Sequence, residues 1–380
     1  MILKALKYTR FEGELREWSI VGKEDDTNQS FAYFGNFNLL VGKNASGKSR
    51  TLEVIRKIAN LFAGRIILNE AVLSSEKFEL IFEDEDTRYD YLLSYKNREV
   101  VEEKLSVNNK VILDRAKEII KDITTGKDLI IKTDSTHLMI AASVDNEPIY
   151  ERFVVWGRLF KNFLFSNQSE KNFLAKDLTH IAEEDQDIED TSVLIYAFHK
   201  GCEAFGPEFV NEIKTGMAEL GYFNITDIDI KQTKGGYGIS VEEDSRYTVS
   251  QREMSQGMFR ILSLLIQLTY VRMRKQSMCV LVDDMGEGLD YERSKGLIEL
   301  LTKKISKTNI QFFMTSNDRY IMNKIPLRYW TVIDREQSKS VFYNYENSKE
   351  NFEDFKYTGL NNFDFLASDF YSKGFGEIEE

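Results

Sequence analysis

Histidine, cysteine, long apolar runs and positive charge are all in short supply in this chain. Only His137, His180 and His199 occur in 380 residues. None forms an HExxH pair or a nucleophile arrangement, so histidine-based catalysis has little material and each reads as an ordinary structural or surface residue. The two cysteines, Cys202 and Cys279, fall in no metal-ligand spacing, and with no signal peptide they point to a reducing, cytosolic compartment. No stretch approaches the roughly 18 uninterrupted apolar residues of a membrane span, which excludes a permease but not a separate membrane partner. Lys and Arg number 50 against 62 acidic residues, giving a net charge of −12. That balance and a pI near 5.1 argue against a protein that coats DNA, although a local basic groove can sit within an acidic total. Nucleic acid is thus a partner the composition permits without supporting.

What is present starts at Gly42, where the sequence reads Gly-Lys-Asn-Ala-Ser-Gly-Lys-Ser up to Ser49. Before it, Phe37-Asn38-Leu39-Leu40-Val41 predicts a short buried strand. After it, Leu52, Val54, Ile55, Ile58, Ala59, Leu61 and Phe62 recur at helical spacing. Strand, glycine loop and helix in that order form a phosphate-binding loop. Its backbone N–H groups turn inward, and the helix N-terminus favours anions. The expected nucleotide-binding residues are Gly42, Asn44, Ala45, Ser46, Gly47, Lys48, Ser49 and Arg50. Lys48 is expected on the β and γ phosphates and the Ser49 hydroxyl on Mg²⁺.

A second element ends in acid. The apolar run Met278-Cys279-Val280-Leu281-Val282 leads straight into Asp283 and Asp284. A carboxylate at the end of a buried strand suits Mg²⁺ or its bound water, a role expected of Asp283 together with Ser49. Asp284 stands where a water-orienting or basic carboxylate would stand.

Along the chain, Ile2 to Phe11 alternates like a strand. From Lys77, Phe78–Phe82, Tyr89–Leu93, Val100–Leu105 and Val111–Leu113, with the turn Asn108-Asn109, predict antiparallel hairpins. Residues 116–245 predict a mainly helical insertion, punctuated by Pro148 and Pro207. The acidic run Glu183 to Asp190 reads as a solvated loop, with partner docking as the other reading. Helices are expected around Met258–Met273 and Ser294–Ser306, a strand at Gln311–Thr315 and a closing hairpin from Tyr329 to Tyr345. Alternating strand and helix implies a parallel α/β core. The expected segmentation is 1–75 and 246–345 for the two parts of the core, 76–115 for the hairpins, 116–245 for the insertion and 346–380 for a tail. That tail carries Phe352, Phe355, Tyr357, Phe363, Phe365, Phe370 and Tyr371, expected either to pack on the core or to meet a partner.

The segment Glu253-Met254-Ser255-Gln256-Gly257-Met258-Phe259-Arg260 lies just upstream of the acidic strand and opens a helix. It resembles the signature motif of ABC-type ATPases in the Ser-x-Gly form of SMC, RecF and OLD-like proteins; a plain helix N-cap is the alternative for Ser255. The resemblance implies an ABC-type P-loop fold in which Ser255, Gln256 and Gly257 bind the γ-phosphate held by the opposite subunit. Glu287-Gly288-Leu289-Asp290 matches the family's D-loop, and Thr315-Ser316-Asn317-Asp318 its switch segment. The chain also looks similar to small AAA-family ATPases of bacterial anti-phage systems.

Two departures from the family pattern bear on rate. Asp284 replaces the usual glutamate with a carboxylate one methylene shorter, and a misplacement of about 1 Å can cost ~100-fold. Asn317 replaces the switch histidine and carries no proton near neutral pH; it can also serve merely as a loop residue bonding its own backbone. With Lys48, these two make up the expected catalytic set. The reading that results is a slow Mg-ATP-gated switch, a homodimer or higher oligomer, acting on a separately encoded effector because no room remains after Tyr345 for a nuclease domain. The alternatives are a DNA-repair or chromosome-maintenance ATPase of the RecF or SMC kind, a non-hydrolysing scaffold and, less favoured, a transporter subunit.

Overall fold

The computed structural model describes residues 1–24, 30–68, 75–131, 133–144, 147–148, 150–164, 170–172, 174–176, 192–306 and 308–376. Two compact units emerge. One comprises Met1–Phe160, Gln311–Asn317 and Ile325–Glu380; the other comprises Lys161–Ile310 and Asp318–Lys324. His180 and the acidic run Glu183–Asp190 lie outside the described residues.

In the first unit one sheet changes character along its width. The P-loop strand Phe37–Val41 is buried throughout and lies between the parallel strands Ile310–Thr315 and Trp330–Glu336. The latter forms the expected hairpin with Lys339–Asn344, which runs parallel to Trp18–Gly22. Beyond, Trp18–Gly22, Ile2–Arg10, Glu76–Asp84, Thr87–Lys96, Glu99–Val107 and Lys110–Asp114 pair antiparallel in succession. Two connections there are two-residue turns with both residues left-handed, Asn97-Arg98 and Asn108-Asn109. That is the primed geometry whose twist matches the flanking strands.

The P-loop helix Lys48–Phe62 buries Leu52, Val54, Ile55, Ile58, Ala59, Leu61 and Phe62, the residues whose spacing marked it. Against it packs the helix Glu151–Arg158, so closely that a β-carbon on Gly157 would lie 2.4 Å from the Ala59 carbonyl oxygen. Phe62, Phe82, Tyr91, Phe153 and Trp156 form an aromatic cluster beneath, with ring centroids 5.0–6.1 Å apart. Phe352, Phe355, Phe365, Phe370 and Tyr371 of the C-terminal segment are buried, Phe365 6.4 Å from Trp330 and Tyr371 5.0 Å from Tyr343. Tail-to-core packing is thus realised for these, whereas Tyr357 is exposed.

The second unit is organised around the helix Gln256–Met273, buried on almost every side and flanked by Ser192–Phe205 and Pro207–Glu219. The strand Met278–Asp283 and the helices Tyr291–Ile305 and Arg319–Lys324 complete it. Among the described residues, 116–245 mixes helix with strand rather than being mainly helical. The described residues of 116–150 contain no α-helix, and Ile225–Thr233, Gly236–Glu243 and Tyr247–Ser250 form an antiparallel meander. The reason is local: Ile225, Ile228, Ile239 and Val241 are β-branched and bury one face, and Lys234-Gly235, with Gly235 at positive φ, make the turn into Gly236.

Candidate functional site

Within the first unit the phosphate-binding loop rises from the carboxyl edge of the parallel strands, where ligands of such sheets bind. Val41 pairs with Val332 on one side, and Leu40 with Thr315 on the other. The loop backbone is forced close to its neighbours. A β-carbon on Gly42 would meet the Ile333 carbonyl at 2.4 Å and Ser46 Oγ at 2.5 Å. One on Gly47, at φ +112°, would meet Ser340 Oγ at 2.7 Å. Ser340 donates to the Ser46 carbonyl at 2.9 Å and accepts from Trp18 Nε1 at 3.2 Å, which pins the loop from below.

Lys48 is 8% exposed and donates to the carbonyls of Gly42 at 2.8 Å and Lys43 at 3.3 Å. No side chain caps the helix at Gly47, and the first-turn N–H groups of a helix have no acceptor within it and favour an anion. Ala45 adds a left-handed residue at φ +63°, and Ser46 Oγ is buried without a hydrogen-bond partner. Asn44, Ala45, Ser49 and Arg50 are exposed at the mouth. A cradle closed to side chains, lined by N–H donors, a lysine and an unsatisfied hydroxyl fits a polyphosphate. Exposed Asn317 follows the strand Ile310–Thr315 at the same carboxyl edge as Gly42.

In the second unit Ser255 is the N-cap of the helix Gln256–Met273, its Oγ accepting from Met258 N at 3.2 Å. The N-cap alternative is therefore realised, and it places half-buried Gln256 and buried Gly257 in the first turn of that helix. Gly257 touches the D-loop match: its β-carbon would lie 2.6 Å from the Gly288 carbonyl. Asp283 ends its buried strand, and Asp284 follows in the left-handed region at φ +54°, a conformation that costs energy for a non-glycine residue and tends to mark functional turns. Asp290 caps the helix Tyr291–Ile305 by accepting from Arg293 N at 2.9 Å. The structure thus brings Ser255, Gln256, Gly257 and the Asp284 turn together in one unit, and the P-loop and Asn317 in the other. No cluster of three or more metal-binding side chains occurs among the described residues. A Mg²⁺ bound to nucleotide needs only one or two protein ligands besides phosphate and water.

Residues 37–323 match the family described as "AAA domain, putative AbiEii toxin, Type IV TA system". The chain belongs to that family. This AAA-family ATPase has the ABC-type P-loop fold of SMC heads. The structure titled "Crystal structure of the SmcHead bound to the C-winged helix domain of ScpA" aligns with a TM-score of 0.53 and 11% identity, over 90% of this chain and 97% of that one. An SMC head domain from Thermotoga maritima aligns at 0.48 and 13% identity, covering 90% and 99%. An SMC head with an extended coiled coil, bound to a ScpA C-terminal domain derived from Pyrococcus furiosus, aligns at 0.49 and 11%, covering 93% and 99%. A search of curated proteins found no match.

Several residues that shape the AAA-family site carried no sequence signal. Ser340 and Trp18 support the P-loop from distant strands, and only tertiary structure brings them there. Lys43, inside the motif, pairs with Asp369 at 2.8 Å. Arg260 stood in the signature segment without a role. The two described histidines carry nothing comparable: His137 lies 2.7 Å from Asp134 and His199 3.3 Å from Glu203 on partly exposed surfaces. Cys279 is buried, which pushes its thiol well above the usual range.

Proposed function

We infer that this chain is an ATP hydrolase whose two copies, arranged head to tail, enclose Mg-ATP and act as a slow gate on a separately encoded effector. The observation that carries the reading is the P-loop cradle, with Lys48 drawn inside and an uncapped helix end above it. Lys48 holds the β and γ phosphates, Gly42, Asn44, Ala45, Ser46, Gly47 and Arg50 line the nucleotide, and Ser49 with Asp283 ligates Mg²⁺. Bound Mg²⁺ supplies neutralisation of the charge that builds on the leaving phosphate. Asp284 orients the attacking water, Asn317 hydrogen-bonds near the terminal phosphate, and Ser255, Gln256 and Gly257 reach it from the other copy.

ATP then acts as the link between copies, closing the pair when bound and releasing it after hydrolysis. The family's AbiEii name supports toxin control or anti-phage defence in the cytoplasm as the setting. The ScpA domain bound to the related SMC head supports a protein partner here as well. Because Asp284 is short and Asn317 moves no proton, turnover is expected well below the enzyme median of about 10 s⁻¹.

The test is sedimentation of wild type, Lys48→Ala and Ser255→Arg with and without Mg-ATP, beside steady-state phosphate release. ATP-dependent pairing in wild type alone, with slow release, is expected; assembly indifferent to nucleotide and to both substitutions sinks the reading. A second reading, a nucleic-acid-bound ATPase, draws on the SMC-head fold. It requires DNA affinity that falls steeply with salt, and the net charge of −12 weighs against it.

A further inference from the structure

Building on the two-copy reading, we propose that Arg260 is a positioning residue that ties the signature helix to the turn Asp284–Leu289, so that the two nucleotide sites of a pair respond together. Arg260 is 7% exposed, and its Nη1 donates to the Glu287 carbonyl at 2.6 Å. The fit around it is close. A β-carbon on Gly288, at φ +78°, would lie 2.9 Å from Nη1, and one on Gly257 would lie 2.6 Å from the Gly288 carbonyl and 2.8 Å from Leu289 Cδ2. The first turn of the signature helix and the Glu287-Gly288 backbone are therefore in direct contact, locked by a buried charged donor.

The turn is itself tied together by its own backbone hydrogen bonds. Glu287 N donates to the Asp284 carbonyl at 3.1 Å, and Leu289 N to that of Gly286 at 3.0 Å. Asp284, Gly286 and Gly288 all sit at positive φ. Gly286 is pressed on Ile321, whose Cδ1 would lie 2.4 Å from a β-carbon there, and Asp290 then caps the next helix. A displacement of Ser255 and Gly257 is thus passed through Arg260 to Asp284. In a head-to-tail pair the signature meets the partner copy's nucleotide, whereas Asp284 serves its own. Arg260 lies on the path between the two.

The experiment compares wild type, Arg260→Met and Arg260→Lys in ATP affinity at dilutions where the chain is single, in phosphate release against ATP concentration, and in folding by circular dichroism. Wild type is expected to show a Hill coefficient above 1. Arg260→Met is expected to bind ATP within about threefold of wild type, yet to fall to a Hill coefficient near 1 with turnover down about 10–100-fold, as for a displaced reacting group. Arg260→Lys is expected to recover part of both. A Met variant with wild-type cooperativity and turnover overturns the proposal, as does failure of both variants to fold, since Arg260 would then merely hold the unit together. Wild type that pairs and hydrolyses ATP with a Hill coefficient of 1 overturns the coupling but leaves the two-copy reading standing; wild type that does neither overturns both.

Discussion

The carboxylate of Asp369 lies 2.8 Å from the ammonium group of Lys43, joining the C-terminal segment to the phosphate-binding loop. Lys43 is the main cause that holds the Asp369 carboxyl below its usual range, with Lys373 contributing at 3.4 Å. A carboxyl whose folded pKa lies below the unfolded value of about 3.9 adds stability that is fully present above that value. This contribution is lost as pH falls through the folded pKa. Since the Lys43 side chain is 63% exposed, the pair is worth only about 0.2–1 kcal/mol, toward the lower end. Asp369→Asn should therefore be slightly less stable than wild type at pH 7, and the gap should close on the acid side of the carboxylate range. Urea melts across that window check it; a gap independent of pH refutes the ion pair as the cause.

Ser340 has no exposed surface and serves two groups at once, the Trp18 indole N–H and the Ser46 carbonyl. Ser340→Ala leaves both without this partner, and a buried polar group left unsatisfied costs about 1–3 kcal/mol. A loss of about 2 kcal/mol is expected, with weaker ATP binding because the loop floor loosens. Adding Trp18→Phe removes the stranded N–H and should return part of the stability but not the binding. Equilibrium denaturation of the two variants decides it. Wild-type stability in Ser340→Ala, or no recovery in the double variant, would contradict this account.

How much could be read beforehand varied with the range of the interactions involved. The P-loop strand and helix were legible because Leu39, Val41, Ile55 and Phe62 repeat at the period of the element that buries them. Asn108-Asn109 was legible because a two-residue turn needs left-handed backbone, which asparagine tolerates. The meander at Ile225–Ser250 was not. Its first strand is largely exposed, so apolar alternation is faint there, and the glycine pair was the one strong local cue. Ser340, Trp18 and Asp369 were invisible for another reason. Each meets the loop across tens to hundreds of residues of sequence, and a single chain carries no periodic trace of such a contact.

Glu103 is a carboxylate buried to 1% exposure that organises a loop far from it in sequence. It accepts from Met139 N and Ile140 N, both at 2.8 Å, from Tyr91 Oη at 3.1 Å and from Arg115 Nη1 at 3.2 Å. Burial raises its pKa despite those donors. The folded state therefore holds the proton to higher pH than the unfolded chain, and stability from this group falls as pH rises from the unfolded pKa through the folded one. Removing one partner of such a buried set costs about 3–5 kcal/mol. Glu103→Ala should lose that much, with early hydrogen exchange at Met139 and Ile140. Unchanged protection at those two amides would show that the carboxylate does not hold the loop.

Lys48 and Gly47 are neighbours, yet replacing each by alanine should fail in different ways. The Lys48 side chain is drawn onto the Gly42 and Lys43 carbonyls, which can turn to other donors when it is gone. What alanine removes there is a charged hydrogen bond to phosphate, worth about 1.5–3 kcal/mol, or ~10–100-fold in ATP affinity. At Gly47 the backbone stands at φ +112°, and the new methyl would lie 2.7 Å from Ser340 Oγ. Such backbone strain costs about 1–3 kcal/mol before any ligand is added. Calorimetric titration with Mg-ATP beside thermal melts should therefore show Lys48→Ala weak in binding but near wild type in stability, and Gly47→Ala impaired in both. If Lys48→Ala melts as early as Gly47→Ala, the lysine is a strut of the loop, and the charge it would bring to a phosphate is not what the fold is arranged to present.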